Sequence, residues 1–416
     1  MKCLVLGGGV IGVTSAYYLA QDGHEVTLVE RNAALADEAS YANAGLMSPG
    51  HAFAWAQPSM RARIVKAFLG LDEALTVRPQ LAVEWWRWGL AFLGECTATR
   101  FRENTRNKYR VCQYSHDERK ALGTALGLDY SRQTRGSLYL FRHEEKLDAY
   151  ARSMALLAEL GVVFERADRN RCAAIEPALE PIKHQFVGAI YAPNDESGSC
   201  AAFTRALGEV CRDKGVDIRL GTAVRGLEAE GDRIVGVATD RGRLTADTVV
   251  LAAGAWSTPI ARTAGIRLPV QPIKGYSVTV PIDGHNGAPT SGGIDEERYI
   301  GYSRQGDRLR IAGSINYVGF DTEAGAKRCA QLVQAARALF PDGAAYERAE
   351  YRACLRPQTP DGPPILGPGP RYRNLYFNVG QGSMGWSMSC GSSRVVADLI
   401  AGRRPAIDMT GLGWRS

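Results

Sequence analysis

Three glycines, Gly7, Gly9 and Gly12, stand in the spacing Gly-x-Gly-x-x-Gly, and an acid, Glu30, follows 18 residues after the last of them. Each position suits a dinucleotide. Gly7 allows a tight turn, Gly9 lets the backbone approach a pyrophosphate, and Gly12 lets a helix pack closely on the preceding strand. That helix would begin near Val10 and turn its first amides toward the phosphates. Glu30, with Arg31 beside it, would end a second strand where a carboxylate can accept both hydroxyls of a ribose. The alternative is a glycine-rich turn with no ligand. Strand, helix, strand and acid falling in register argue against it.

Three later stretches have the small, turn-forming composition of chain pressed against a cofactor. Ser40-Tyr41-Ala42-Asn43-Ala44-Gly45-Leu46 follows closely on Glu30 and is too small and polar for a core strand. Such a segment can lie along a cofactor with its amides turned inward, although an ordinary loop has the same composition. Thr248 to Ala252 is an apolar run that leads into Ala253-Gly254-Ala255-Trp256, a second close approach. Gly380-Gln381-Gly382-Ser383-Met384-Gly385 feeds a final helical pattern ending near Ala401, again a helix N-terminus suited to an anion. The expected cofactor contacts are Gly7, Gly9, Val10, Gly12, Glu30, Arg31, Ser40, Asn43, Ala44, Gly45, Leu46, Ala253, Gly254, Gly382, Ser383, Met384 and Gly385, and Val224 is expected with them although it lies outside these stretches.

The elements that position these residues are legible as periodicity. Lys2 to Leu6 and Glu25 to Val29 read as buried parallel strands around a helix stopped by Gly23. Residues 51–193 differ in texture, with long helical patterns and many aromatics. Leu81, Trp85, Trp88 and Phe92 form one apolar stripe at helical spacing, and Val83, Trp86, Leu90 and Leu93 form another. Two stripes predict a deeply packed helix; a helix dipping into a lipid interface is the alternative. A helix over Phe203–Lys214, a hairpin near Arg233–Ala246, strands through 268–350 and a helix over Ala324–Leu339 follow.

Composition bounds the class. At 416 residues the chain is long for one core, so two domains are expected. The net charge of +6 comes mostly from Arg61–Arg110, where ten Lys or Arg face five Asp or Glu. A solvated basic face is the expected reading, rather than a nucleic-acid site. Nine cysteines and six histidines are scattered without Cys-x-x-Cys or His-Glu-x-x-His spacing, which speaks against a disulfide framework or a metal site. Glycines interrupt the apolar N-terminus where a secretory leader would be leucine-rich, so a cytoplasmic chain is expected.

These motifs carry a resemblance. Gly-Gly-Gly-Val-Ile-Gly at 7–12, Ala-Asn-Ala-Gly-Leu-Met-Ser-Pro-Gly at 42–50 and Pro-Asn-Asp-Glu-Ser-Gly at 193–198 resemble the bacterial FAD-dependent D-amino acid dehydrogenases. So do Lys-Gly-Tyr-Ser at 274–277, Leu-Arg-Pro-Gln-Thr-Pro-Asp-Gly at 355–362 and Gly-Trp at 385–386. That family lies within the D-amino acid oxidase and glycine oxidase superfamily. The resemblance implies an α/β fold, with a Rossmann-like FAD-binding domain built from 1–50, 194–267 and 351–416. An interleaved α+β substrate-binding domain would take 51–193 and 268–350.

It also implies FAD as cofactor and oxidative deamination of D-amino acids, with electrons passing to a respiratory quinone or another carrier. Arg356 is the expected partner of the substrate α-carboxylate, because a guanidinium fork makes two parallel charge-assisted bonds. A structural Arg supporting the Pro357 turn is the alternative. Tyr276 and His51 are further expected substrate contacts, each with a plain packing role as its alternative. Leu46 and Gln381 depart from the family's common Gln and His, and His51 replaces a common aromatic. D-proline-type secondary amines, or a flavin subunit acting mainly within a partner complex, are competing functions. Peripheral membrane contact is a further expectation for the basic, tryptophan-rich segment.

Overall fold

The computed structural model describes residues 1–72 and 75–415. Glu73, Ala74 and Ser416, which fall in the expected substrate-binding and FAD-binding stretches, lie outside them. Lys2–Leu6 lies inside a six-stranded sheet of order Ile365–Pro368, Leu375–Val379, Thr248–Leu251, Lys2–Leu6, Glu25–Val29, Asp217–Arg219. Only the edge pair Ile365–Pro368 and Leu375–Val379 is antiparallel; the other pairs are parallel. Both faces are covered from Cys3 to Leu6, which is why these residues are continuously apolar rather than alternating. On one face Val5 packs with helices Val10–Gln21, Cys200–Asp213 and Gly385–Ile400. On the other, Leu4 and Leu6 meet Ser257–Thr263 and a small antiparallel sheet, Val224–Glu230, Arg233–Thr239 and Gly242–Leu244.

The second sheet has nine strands. Glu350–Gln358, Gln271–Pro281, Arg308–Tyr317, Ile300–Gln305, Gly292–Asp295, Ser137–Phe141, Gly188–Ala192 and Glu165–Asp168 follow in order, and Leu75–Val77 pairs with Arg308–Tyr317. Tyr276, Val278 and Val280 point to one face of this sheet, into a core shared with Tyr302 and helix Ala326–Leu339. Glu350–Gln358 bonds along its whole length with Gln271–Pro281. Residues 351–358, expected in the FAD-binding stretch, thus run in this second sheet.

The two apolar stripes after residue 80 do not both pack. Helix Val83–Glu95 buries Trp88 and Phe92 against Met60, Leu75 and Ile273. Leu81, Val83, Trp86 and Leu90 are exposed, Leu81 at 102% and Leu90 at 68%. The deep packing expected for both stripes is thus corrected: a single helix face meets the body. Among the described residues no helix is long and apolar enough to cross a membrane. All nine cysteines are buried free thiols.

Candidate functional site

A cleft of about 390 Å³ runs along the C-terminal ends of the parallel strands, the usual ligand position in an open α/β sheet. Its first wall is the opening motif. Gly7 has a φ of 116°, and a Cβ on Gly12 would stand 1.8 Å from the Gly7 carbonyl oxygen. Turn and helix therefore touch at a distance that only glycine permits. Gly9 caps helix Val10–Gln21 without a side chain, and Gly9, Val10 and Ile11 line the cleft. Ser40 Oγ accepts from the Val10 amide at 2.9 Å, so one helix-mouth donor is already satisfied.

Glu30 sits at the tip of its strand as expected and lines the cleft. Its carboxylate accepts from the Gly8 amide at 2.6 Å and the Asn32 amide at 2.7 Å. Burial pushes its pKa upward, and these two amides oppose that shift. Each oxygen keeps a lone pair for a ribose hydroxyl. Arg31 lies 4.0 Å over the Trp256 ring and donates through Nε to Glu38 at 2.7 Å. Trp256 Nε1 reaches the other Glu38 oxygen at 3.2 Å, so Arg31, Glu38 and Trp256 form one rim.

Val224, Ala253, Gly254, Gly382, Ser383 and Gly385 line the cleft, as do Ser40 and Asn43. Ala44, Gly45, Leu46 and Met384 are not among the residues whose side chains line it. Met384 is buried at the N-cap of the last helix. Leu46 pairs with Ser197 and turns its side chain toward Gly292 and Gly301. Gly12 also contributes by packing rather than by lining.

The second half supplies the opposite wall. Cys354, Leu355, Arg356 and Pro357 line the cleft from the end of strand Glu350–Gln358. Arg356 is half-buried, and Nη1 donates to the Ser314 carbonyl at 3.0 Å. Ser314 has a φ of 65° at an irregularity in the pairing of Arg308–Tyr317 with Gln271–Pro281, which helps aim its carbonyl. The guanidinium crosses Gly275, the one residue type without a side chain in its way. Burial draws the Arg356 pKa down. Among the described residues no carboxylate lies within ion-pair distance of Arg356. Gln381 reaches the same cleft; its Nε2 donates to Asn378 Oδ1 at 2.7 Å, and Asn378 donates on to Ser15 and Ser393.

The structure does not bring Tyr276 or His51 into this cleft. Residues alternate across a strand, so Tyr276 points to the face opposite Arg356. There it packs in the core and accepts from Asn316 Nδ2 at 3.1 Å. His51 pairs with Glu296 at 2.7 Å and lies 5.0 Å from the Tyr139 ring, in an aromatic cluster with Tyr150 and Phe53. For both residues the packing alternative describes the observed position. Glu38, Trp256, Cys200, Thr222 and Arg225 line the cleft without having been singled out. Trp256 had a signal, its place directly after Gly254-Ala255; the others had none.

The site fits an adenine dinucleotide on its own geometry: a glycine cradle, a helix mouth and a buried acid at the ribose position. A family model described as FAD dependent oxidoreductase, DAO, matches residues 2–399. The chain is 42% identical over 412 residues to a D-amino acid dehydrogenase of Bradyrhizobium diazoefficiens, covering 99% of this chain and 98% of that one. It is 44% identical over 420 residues to a D-amino acid dehydrogenase of Paramagnetospirillum magneticum, with the same coverage of 99% and 98%. Glycine oxidase from Geobacillus kaustophilus has a similar fold, with a TM-score of 0.77 at 23% identity over 100% of this chain and 98% of that one. L-proline dehydrogenase from P. horikoshii gives 0.74 at 21% identity, over 97% and 94%. The chain belongs to the DAO family of FAD-dependent oxidoreductases.

Proposed function

We propose that the chain is a D-amino acid dehydrogenase that deaminates its substrate oxidatively with FAD. The observation that carries this reading is Arg356: a half-buried guanidinium on the cleft wall, held over Gly275 by the Ser314 carbonyl, with no carboxylate among the described residues paired to it. Such a group is placed to take the α-carboxylate of an amino acid in two parallel hydrogen bonds. Bound FAD supplies the two-electron acceptor for the substrate Cα–H. The protein's part is positioning. Gly7, Gly9, Val10 and Glu30 would hold the adenine dinucleotide end, while Ser40, Asn43, Gly382, Ser383 and Gly385 line its path toward Arg356. A neutral amine needs no protein base to lose hydride, and the imino acid released hydrolyses in water to a 2-oxo acid and ammonia.

The test is an anaerobic spectral screen. The yellow protein should bleach with D-amino acids and not with their L-isomers; bleaching by L-isomers alone sinks the reading. A panel comparing D-alanine with D-proline separates primary from cyclic amines.

We infer further that the electrons leave to a carrier at an anionic membrane surface. Leu69, Leu71, Leu81, Trp86 and Leu90 are exposed between Arg61, Lys66 and Arg87, and apolar side chains among basic ones suit such an interface. The inner side of the same helix reaches the site's strand, where Trp88 Nε1 donates to the Gln358 carbonyl at 3.1 Å. Co-sedimentation with vesicles containing phosphatidylglycerol, lost in Leu81→Asp/Leu90→Asp, is the expected result. Equal recovery of both proteins in the supernatant counts against it. We also propose that the chain divides as expected into FAD-binding and substrate-binding halves, with the last boundary moved to follow Gln358.

A further inference from the structure

The segment Tyr41–Gly45 runs between the two sheets, and its backbone is bonded unevenly. All five carbonyls have partners within the protein. Arg310 Nη1 donates to the Tyr41 oxygen and, at 3.1 Å, to the Asn43 oxygen. Cys354 Sγ approaches the Ala42 oxygen at 3.7 Å, Ser303 Oγ donates to the Ala44 oxygen at 2.6 Å, and the Gly198 amide donates to the Gly45 oxygen at 2.8 Å. The amides of Tyr41 and Ala42 go to the Glu38 carbonyl, and the Gly45 amide goes to Asn43 Oδ1. The Asn43 and Ala44 amides alone have no acceptor among the described residues.

Arg310 is the unusual member of this set. It is 3% exposed, and among the described residues no carboxylate pairs with it. Its charge is met by two carbonyls and by the Tyr41 ring, 4.9 Å away. Burial lowers its pKa to about 10, which leaves it cationic at neutral pH. A buried cation without a counter-charge is costly, and carbonyl dipoles offset only part of that cost. An anionic group across the Ala44 amide, whose peptide carbonyl Arg310 holds, would complete the compensation. Arg310 belongs to the large sheet, whereas Tyr41 and Asn43 follow the opening βαβ unit, so the contact also joins the two halves.

We propose that Arg310 is a positioning residue for the cofactor: it holds the Tyr41 and Asn43 carbonyls and, through the Asn43–Ala44 peptide plane, turns the Ala44 amide, with a buried positive charge behind it, toward bound FAD. The inference rests on the FAD reading and adds a residue that does not itself line the cleft. Amide donors backed by a cation favour the flavin more as it gains negative charge on reduction. The arrangement therefore acts on redox potential as well as on affinity.

The test compares full-length wild type with Arg310→Met, Arg310→Lys and Ser303→Ala. FAD affinity is read by titrating the apoprotein and following flavin fluorescence. The midpoint potential is read anaerobically against a reference dye. Arg310→Met should weaken FAD binding at least tenfold and lower the potential; a tenfold loss of preference for reduced over oxidised FAD reads as about 30 mV. Arg310→Lys should recover most of the potential but not the affinity, and Ser303→Ala should weaken affinity several-fold. Wild-type affinity in Arg310→Met overturns the proposal. So does weakened binding with an unchanged potential, the mark of a merely structural role. Should Arg310→Met fail to fold, Ser303→Ala and Arg310→Lys decide, and wild-type affinity in both overturns it. Failure of the wild-type chain to bind FAD would instead remove the cofactor reading itself.

Discussion

Arg356 lies across Gly275 so closely that a Cβ built on the glycine would stand 2.4 Å from Nη2 and 2.6 Å from Cζ. The two residues sit on adjacent strands, with Gly275 opposite Cys354 and Arg356 opposite Ile273. Gly275→Ala should therefore displace the guanidinium without altering the adenine end of the cleft. Charge-assisted hydrogen bonds contribute about 1.5–3 kcal/mol each, so the KM for a D-amino acid should rise roughly tenfold or more. FAD content should stay at the wild-type level. Arg356→Gln should cost more, and a wild-type KM in either variant would remove Arg356 from substrate binding.

Gly12→Ala tests the other end. Its Cβ would meet the Gly7 carbonyl at 1.8 Å, backbone against side chain, with no rotamer to relieve it. Helix Val10–Gln21 would have to move off the strand, and its first amides with it. The variant should purify colourless, with FAD affinity reduced about 100-fold on the scale of lost close packing and phosphate contacts. Visible absorbance per protein measures this directly, and a fully yellow variant would show that the cradle tolerates a methyl group.

How much of this was legible in the residues depended on whether a motif was local. Gly7 to Glu30 is one βαβ unit, and its spacing determines both strand pairing and ligand wall, so periodicity sufficed. Arg356 was legible because a resemblance singled it out. Its support was not, since Gly275 and Ser314 lie 81 and 42 residues earlier and meet it only through strand register. Tyr276 misled because alternation alone does not say which face of a sheet holds the site. The Leu81–Leu93 stripes misled for a related reason: helical spacing shows that residues share a face, not that anything covers it. Arg310 and Glu38 gave no signal, being ordinary charged residues until the fold brings them to a carbonyl or a ring.

Glu196 is the hub of the Pro-Asn-Asp-Glu-Ser-Gly motif. Arg132 donates to both of its oxygens at 2.7 and 2.9 Å, and Arg119, 1% exposed, stands 3.0 Å away. Burial pushes the Glu196 carboxyl up, but the Arg132 bonds and the charges of Arg119, His116 and Arg132 outweigh it and hold it down at about 2. The stabilisation is then full above the ordinary value of 4.5 and is lost as pH falls through about 2. Glu196→Gln leaves Arg119 buried without a carboxylate, which should cost about 3–5 kcal/mol. Urea denaturation at pH 7 measures it, and a loss under 1 kcal/mol would mean that the hub is replaceable.

The neighbouring acid should behave in the opposite sense. Asp195 is buried, accepting from the Gly50 amide at 2.9 Å and from the Tyr139 hydroxyl. Burial raises its carboxyl to about 6; the Tyr139 and Gly50 bonds and the nearby His51 oppose the rise, while Glu196 adds to it. Between the ordinary value of 3.8 and about 6 the folded protein holds a proton that the unfolded chain has released. Lowering the pH through that window therefore stabilises the fold at this residue, and above it the full cost of a buried carboxylate is present. Asp195→Asn cannot ionise and keeps an acceptor for the Gly50 amide. It should be more stable than wild type at pH 8 by up to about 3 kcal/mol, at roughly 1.36 kcal/mol per unit, less whatever the altered Tyr139 bond costs. That advantage should shrink steadily toward pH 4. A pH-independent difference between the two proteins would mean that Asp195 keeps its ordinary acidity in the folded chain.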